Sequence, residues 1–154
     1  MINNDVLRRI RYTFDYSDSQ MADIFSLVEV KISREQICTW LKSDEDPDWE
    51  KCEDSFLANF LNGLIIKKRG RKEGELPRQE KSINNNDIFR KLKIAFELKA
   101  DEILQILELA DFKISKHELS ALFRKPDNRH YRECNNQFLR NFLKGLQLKY
   151  RDNS

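Results

Sequence analysis

Apolar residues recur along the first half of this chain at spacings of three and four residues, the pattern of amphipathic helices. Polar segments divide these positions into four groups, and each group predicts one helix with its apolar side in the core. The groups are Val6, Leu7, Ile10 and Phe14; Met21, Ile24, Phe25 and Val28; Ile37, Trp40 and Leu41; and Phe56, Leu57, Phe60, Leu61 and Leu64. The pattern therefore predicts four helices within residues 1–69, the first of them capped by Asn3 and Asn4.

The second half of the chain repeats the first. A shift of 82 residues aligns residues 3–69 with residues 85–151 without a gap, and 20 of the 67 pairs are identical. Residues 70–84 contain two glycines, one proline and seven charges without an apolar period, which is typical of a linker. We therefore expect an all-α fold with one four-helix repeat at 1–69, a linker at 70–84 and a second repeat at 85–154. Since a lone unit of this size is marginally stable, the repeats should pack together about an approximate two-fold axis.

Capping boxes and helical glycines predict local features at equivalent positions of both repeats. Ser33 with Gln36, and Ser115 with Glu118, match the capping box that starts a helix, so the third helix of each repeat should begin there. A glycine lies inside each fourth helix, at positions 63 and 145, where glycine costs about 1 kcal/mol relative to alanine. This placement predicts that another helix approaches closely at both points.

Composition narrows the class of protein. Charged residues make up 35% of the chain, but 28 basic and 26 acidic residues leave a net charge of only +2. No apolar stretch approaches the roughly 20 residues of a membrane span, and no secretory signal is visible at the N-terminus. The three cysteines, Cys38, Cys52 and Cys134, include no closely spaced pair. These features predict a cytoplasmic protein with no membrane association and reduced thiols.

Catalytic chemistry requires a convergent set of groups, and the chain shows none of the common nucleotide-binding, zinc-protease, hydrolase or paired-cysteine motifs. His117 and His130 occur only in the second repeat, so we expect them to be solvent-exposed. Cys52 and Cys134 precede the fourth helices, where a thiolate would be favoured, but packed small residues explain them equally well. The acidic residues 44–50 lack the sixth-position glycine of a calcium loop. We therefore predict a non-enzymatic protein without cofactor or metal.

The two repeats differ in charge. Residues 1–69 hold 10 basic and 13 acidic groups (net −3), whereas residues 85–154 hold 14 and 10 (net +4). Such asymmetry can attract the two halves to each other, attract two molecules to each other, or bind a polyanion. Neutral sequence drift at solvent-exposed charges would also produce it. Charge asymmetry alone identifies neither the partner nor the oligomeric state.

Nucleic acid is the first candidate ligand. The second and third helices are joined by about four residues (29–32 and 111–114), as in a helix-turn-helix. The turn is nevertheless longer than in that motif, and the pI near 8.4 is below the usual value of about 9 for nucleic-acid-binding domains. The candidate contact residues are basic side chains of the linker region and of the second repeat: Lys67, Lys68, Arg69, Arg71, Lys72, Lys116, Arg124, Lys125, Arg129 and Arg132.

A protein partner is the alternative. The acidic loop of the first repeat contains Trp49, and aromatic residues dominate the binding energy of many protein interfaces. If Trp49 is exposed, this loop predicts a protein–protein interaction adapter.

Three paired segments carry a resemblance to a known family. They are residues 3–12 (NNDVLRRIRY) with 85–94 (NNDIFRKLKI), the KIS at 31–33 and 113–115, and residues 56–64 (FLANFLNGL) with 138–146 (FLRNFLKGL). With these segments the whole chain resembles the YehS-like bacterial proteins, which are duplicated helical proteins of about this length with a domain of unknown function. The resemblance implies the duplicated helical fold and the bacterial cytosol, and it supplies no catalytic residue.

Overall fold

The computed structural model describes residues 1–71 and 76–152, and every regular element in these ranges is an α-helix. The first repeat contains α1 (Asn3–Phe14), α2 (Asp18–Ser26), α3 (Arg34–Leu41) and α4 (Asp54–Arg69). The second contains α5 (Asn85–Ala95), α6 (Ala100–Leu109), α7 (Lys116–Ala121) and α8 (Asn136–Tyr150). The prediction of an all-α fold built from a duplicated unit is confirmed. Within the described ranges, no helix is both long enough and apolar enough to span a bilayer.

Equivalent helices of the two repeats pack crosswise. Helix α1 lies against α8, and α5 lies against α4. Since α1 corresponds to α5 and α4 to α8, one interface occurs twice, as an approximate two-fold axis requires. The pairs α2–α3 and α6–α7 flank α4 and α8, and one hydrophobic core runs through both repeats.

Glycine allows the fourth helix of each repeat to contact its neighbour at the backbone. A Cβ atom on Gly63 would lie 2.2 Å from the carbonyl oxygen of Ile24 in α2, and one on Gly145 would lie 2.2 Å from that of Ile106 in α6. These distances are far below van der Waals contact, so no larger residue fits without a shift of the helices. The predicted close approach is confirmed at both glycines.

The sequence predicted that Asn4 caps α1, and this prediction is wrong. Asn4 instead binds the loop between the third and fourth helices. The N-cap position of α1 is Ile2, and Asn4 is fully buried. Its amide donates to the carbonyls of Trp40 and Glu50, both at 2.9 Å, and its Oδ1 accepts the N–H of Cys52 at 2.9 Å. Both ends of the loop are thus joined to α1, and three backbone groups are satisfied, two of them in buried hydrogen bonds.

Asn86 makes the same contacts in the second repeat. Asn84 caps α5, while the buried amide of Asn86 donates to the carbonyls of Leu122 and Arg132 at 3.0 Å. Its Oδ1 accepts the N–H of Cys134 at 2.8 Å. The loop that follows α7 is therefore fixed at its two ends by one side chain.

The third helices begin where the capping boxes predict, although only one box is complete. Ser115 and Glu118 each bond to the other's backbone N–H, at 3.3 and 3.0 Å. Ser33 accepts from the N–H of Gln36 at 3.0 Å, but the Gln36 side chain donates to Glu50 at 3.2 Å. In the first repeat the bond from the Ser33 N–H to the Gln36 side chain is missing, because the Gln36 amide bonds to Glu50, 14 residues further along the chain.

The connections between the second and third helices are longer than the sequence predicted. They comprise residues 27–33 and 110–115, seven and six residues rather than about four. Glu29 (φ 60°) and Asp111 (φ 56°) adopt the left-handed conformation that ends a helix, so each connection begins early. The prediction of a short turn is wrong for this reason.

Candidate macromolecule-binding surface

The structure divides the candidate basic residues into two groups. Lys72 lies outside the described residues. Asn86, near the start of α5, binds the loop after α7, whereas Arg69 binds Ile94 near the end of α5. Asn86 and Ile94, the residues of α5 that make these two contacts, are separated by about 12 Å along the helix. The first group, at the end of α4, comprises Lys67, Lys68, Arg69 and Arg71; the second, here called the α7 loop surface, comprises Lys116, Arg124, Lys125, Arg129 and Arg132.

The two lysines at the end of α4 are placed over aromatic rings. The Nζ of Lys67 lies 5.7 Å from the ring centre of Tyr16, and that of Lys68 lies 5.2 Å from Phe14 and 5.7 Å from Phe96. Burial lowers the pKa of Lys68, and repulsion from Lys67 lowers it further. Lys68 thus stabilises the contact between the repeats through cation–π interactions, whereas Lys67 makes its cation–π contact within the first repeat.

Arg69 also joins the two repeats. It forms an ion pair with Glu97 at 3.2 Å and donates to the carbonyl of Ile94 at 3.4 Å. Its counterpart Arg151 lies 3.7 Å from Asp15 and donates to the carbonyl of Tyr12, so the clamp occurs on both sides of the axis. The identity of the two arginines in the aligned repeats was the signal for this role, which the sequence analysis missed.

The α7 loop surface has a fixed backbone. The N–H of Arg132 donates to the carbonyl of Ala121 at 3.1 Å, and the N–H of Asn128 donates to that of Lys125 at 2.9 Å. The Asn86 side chain holds the ends of the same loop. Four of its five cations are therefore presented on a preorganised loop, and the fifth, Lys116, is the first residue of α7.

Two cations of the α7 loop surface form ion pairs. Lys116 lies 3.0 Å from Asp101, and Arg132 lies 3.5 Å from Glu118. All four side chains are largely exposed, so these pairs contribute little to stability and are readily exchanged for another anion.

The other three cations of this surface have no carboxylate partner among the described residues. They are Arg124, Lys125 and Arg129. Arg124 is partly buried, while Lys125 and Arg129 are exposed, and the Nε of Arg129 donates to the His130 ring at 3.1 Å. Among the described residues, the surface therefore offers three positive charges that no ion pair engages.

The equivalent loop of the first repeat has the opposite charge. Asp44 lies 2.7 Å from Arg8, and Asp48 lies 3.6 Å from Lys42. The side chain of Asp46 accepts the N–H of Asp48 at 2.8 Å, and Asn128 makes the same turn with His130. The two loops thus share a backbone form and differ in electrostatics.

Trp49 is not the exposed aromatic residue that the protein-adapter alternative requires. The side chain is only partly exposed, and its indole nitrogen is buried without a hydrogen-bond partner among the described residues. Its counterpart Tyr131 is also partly exposed. The folded chain therefore covers the indole nitrogen, and the condition of an exposed Trp49, on which the adapter alternative depends, is not met.

The cysteines and histidines occupy the positions expected of structural and surface residues. Burial raises the pKa of the Cys52 and Cys134 thiols to about 12, and neighbouring carboxylates add to the shift at Cys52. Both thiols are therefore protonated at neutral pH and poor nucleophiles. His117 and His130 are exposed, as predicted. No three His, Cys, Asp or Glu side chains of residues 1–71 and 76–152 are grouped to hold a metal ion.

Comparison with known proteins agrees with the duplication. Residues 3–70 and 85–152 each match the family described as "Protein of unknown function (DUF1456)". The chain is 43% identical over 150 residues to "Uncharacterized protein YehS" of Escherichia coli (strain K12), covering 97% of this chain and 96% of that protein. No solved structure matches. The resemblance found in the sequence is confirmed, and the chain belongs to the DUF1456 family of proteins of unknown function, whose unit it contains twice.

Proposed function

We propose that this protein is a non-enzymatic, cytoplasmic module that binds nucleic acid through the α7 loop surface. The observation that carries the proposal is the fixed loop after α7, which presents Arg124, Lys125 and Arg129 without carboxylate partners among the described residues. The three free thiols support a reducing compartment.

Phosphate groups are the ligands that such a loop fits. Arginine binds phosphate oxygens through two parallel N–H donors, and each cation that neutralises a phosphate releases counterions. A rigid loop loses little conformational entropy when it binds. Arg124, Lys125 and Arg129 would contact successive phosphates, and Lys116 and Arg132 would join them by exchanging their weak surface ion pairs.

The first repeat supports the assignment of the site to the second. Where the α7 loop surface is basic, the same backbone in the first repeat carries Asp44, Asp46 and Asp48. These carboxylates would repel a polyanion, so the molecule has one binding loop rather than two. An electrostatic difference of this kind orients the protein on its ligand.

The test is fluorescence anisotropy of labelled, mixed-sequence RNA and duplex DNA, titrated with the full chain over a series of salt concentrations. We expect affinity to fall steeply with salt. The triple variant Arg124→Ala, Lys125→Ala, Arg129→Ala should lower the salt slope by about one unit for each lost phosphate contact. The matched control is Lys31→Ala, Arg34→Ala, Lys51→Ala, which removes the same charge from exposed positions of the first repeat.

Two results would overturn the proposal. The first is the lack of any salt-dependent binding at low ionic strength. The second is an equal loss of affinity in the two triple variants, because net charge rather than the loop would then account for binding. Circular dichroism of both variants ensures that only folded proteins are compared.

The protein-adapter alternative loses its main support in the structure. It depended on Trp49 as an exposed anchor, and the indole nitrogen is buried. We therefore favour the α7 loop surface over the acidic loop.

A further inference from the structure

The crosswise packing of the repeats produces two equivalent grooves. One lies between α4 and α5, and the other, here called the α1–α8 groove, lies between α1 and α8. The α1–α8 groove has a volume of about 570 Å³. Its lining includes Arg8, Arg9, Tyr12, Arg140, Leu143 and Gln147. The two grooves differ in what covers them.

The groove between α4 and α5 is covered by the protein's own linker. Leu76 and Pro77 are partly buried there and line a pocket together with Ile65 of α4 and Ile94 of α5. Further along, Ile83 packs against the core. A non-helical segment of the chain therefore occupies this side of the interface.

A carboxylate anchors the linker in its groove. The Oε1 of Glu80 lies 2.6 Å from the Nζ of Lys91, which also donates to Oδ1 of Asn62 at 2.7 Å. Only 14% of the Lys91 side chain is exposed. A cation this well buried requires a partner, because leaving it uncompensated is costly.

The equivalent positions of the α1–α8 groove are more basic. The 82-residue shift places Arg9 at the position of Lys91, Lys144 at that of Asn62 and Arg140 at that of Ala58. Arg9 donates to the Gln147 side chain at 2.6 Å. None of Arg9, Arg140 and Lys144 has a carboxylate partner among the described residues.

The one carboxylate in the lining is already engaged. Asp5 lies 2.9 Å from Arg8 and accepts the N–H of Ile2 at 3.0 Å. It forms no ion pair with Arg9 or Arg140, and nothing in the described chain takes the place that Glu80 takes against Lys91.

We propose that the α1–α8 groove binds a non-helical, acidic peptide segment of a partner protein, one carboxylate of which contacts Arg9 as Glu80 contacts Lys91. This interaction lies on a different surface from the α7 loop and goes beyond nucleic-acid binding. The guanidinium groups of Arg9 and Arg140 suit carboxylates because each can donate two parallel hydrogen bonds.

The way the linker fills the groove between α4 and α5 also favours a peptide over a nucleic acid as the ligand of the α1–α8 groove. The linker brings apolar side chains such as Leu76 together with the carboxylate of Glu80. The α1–α8 groove offers the same combination, since its lining includes Tyr12, a residue that is 51% exposed and whose ring centre lies 3.9 Å from the Arg151 guanidinium carbon. A peptide satisfies both the apolar and the charged part of this lining, whereas a phosphate backbone satisfies only the charged part.

The experiment uses fluorescein-labelled peptides based on linker residues 76–83. The acidic probe carries Arg78→Glu and Lys81→Glu (LPEQEESI), and the neutral probe has glutamine at positions 78, 80 and 81 (LPQQQQSI). Anisotropy with the full chain should show the acidic probe binding at least about tenfold more tightly than the neutral one.

Variants then locate the site. Arg9→Gln with Arg140→Gln should weaken binding of the acidic probe by about tenfold or more, whereas the matched control Lys31→Gln with Arg34→Gln should leave it unchanged. Arg140→Glu provides a second variant at an exposed position that should fold normally and also weaken binding. The α7 loop triple variant should bind the peptide as the unmodified protein does, so failure of one proposal is distinguishable from failure of the other.

Three outcomes would overturn the inference. Equal binding of the acidic and neutral probes would remove the charge requirement. Unchanged binding by the groove variants would place the peptide elsewhere, for example in the linker's own groove. Binding of an oligonucleotide that displaces the acidic probe and is itself lost in the groove variants would assign the groove to nucleic acid.

Discussion

Phe14 and Phe96 occupy the same position in the two repeats and stack on each other, with ring centres 5.0 Å apart and planes inclined by 17°. Residues related by an approximate two-fold axis can contact each other only where they approach that axis. This pair therefore marks the point at which the repeats meet. On one side lies Lys68 and on the other its counterpart Tyr150, whose ring centre is 5.6 Å from Phe14 and 5.5 Å from Phe96.

The stacked pair should stabilise the joined repeats. Because the rings are partly buried, Phe14→Ala or Phe96→Ala should each lower the free energy of unfolding by about 2 kcal/mol, below the range for fully buried rings. The double variant should lose less than the sum of the two, by about 1 kcal/mol. Urea denaturation measures both quantities. Leu109→Ala, at a side chain that is 48% exposed, is the control, and additive losses would show that the rings do not couple.

The buried amides of Asn4 and Asn86 should be equally important in the two repeats. Asn4→Ala and Asn86→Ala each remove three hydrogen bonds to the backbone, two of them buried, so each should cost about 3 kcal/mol in chemical denaturation. Asn141→Ala is the comparison. Among the described residues, that amide bonds to its own helix at Gln137 alone, so its loss should change stability by about 0.5 kcal/mol or less. Equal small effects at all three positions would contradict the role of the buried amides.

Replacing either helical glycine by alanine should change stability in the direction opposite to that expected from helix propensity. Alanine at an ordinary helical position stabilises by about 1 kcal/mol relative to glycine. At Gly63 and Gly145 the added methyl group meets the backbone of Ile24 or Ile106, so Gly63→Ala and Gly145→Ala should destabilise by about 2 kcal/mol or more. Thermal and urea unfolding give the sign directly, and a rise in stability would show that the helices separate easily.

The buried thiols should make stability depend on pH in the alkaline range. Burial raises the pKa of Cys52 and Cys134 to about 12 from an ordinary value of 9.0. Above pH 9 the unfolded chain releases these protons while the folded chain retains them, so the stability they contribute is full below that pH and is lost as the pH rises toward 12. The double variant Cys52→Ala, Cys134→Ala should therefore show a flatter decline between pH 9 and 12. Parallel declines in the two proteins would refute the assignment.

The sequence predicted features that depend on neighbouring residues or on the repeat. The starts of the third helices, at Ser33 and Ser115, follow from hydrogen bonds to residues three positions away. The contact at Gly63 was also predictable, because an unfavourable residue inside a helix at equivalent positions of both repeats implies a steric requirement. The first signal lies within one short stretch of chain, and the second is read from the alignment of the repeats.

The features that the sequence analysis missed depend on distant residues. Asn4 bonds to groups 36 to 48 positions away, and no local pattern distinguishes it from a capping residue. The burial of the Trp49 indole nitrogen and the placement of Lys68 over two rings from different repeats likewise depend on how the helices pack. The open α1–α8 groove can be recognised only from the structure, in which the linker covers the equivalent groove between α4 and α5.

Residue order alone determined the helical content and the duplication, because helical periodicity and capping are short-range and an 82-residue shift can be read directly from the chain. Only the tertiary structure decided which cations are engaged within the molecule and which face outward. Arg69 and Arg124 look alike in the sequence, yet Arg69 binds the end of α5 and Arg124 has no carboxylate partner among the described residues. The energy of a charge depends on its distance to other charges in space, and packing sets that distance.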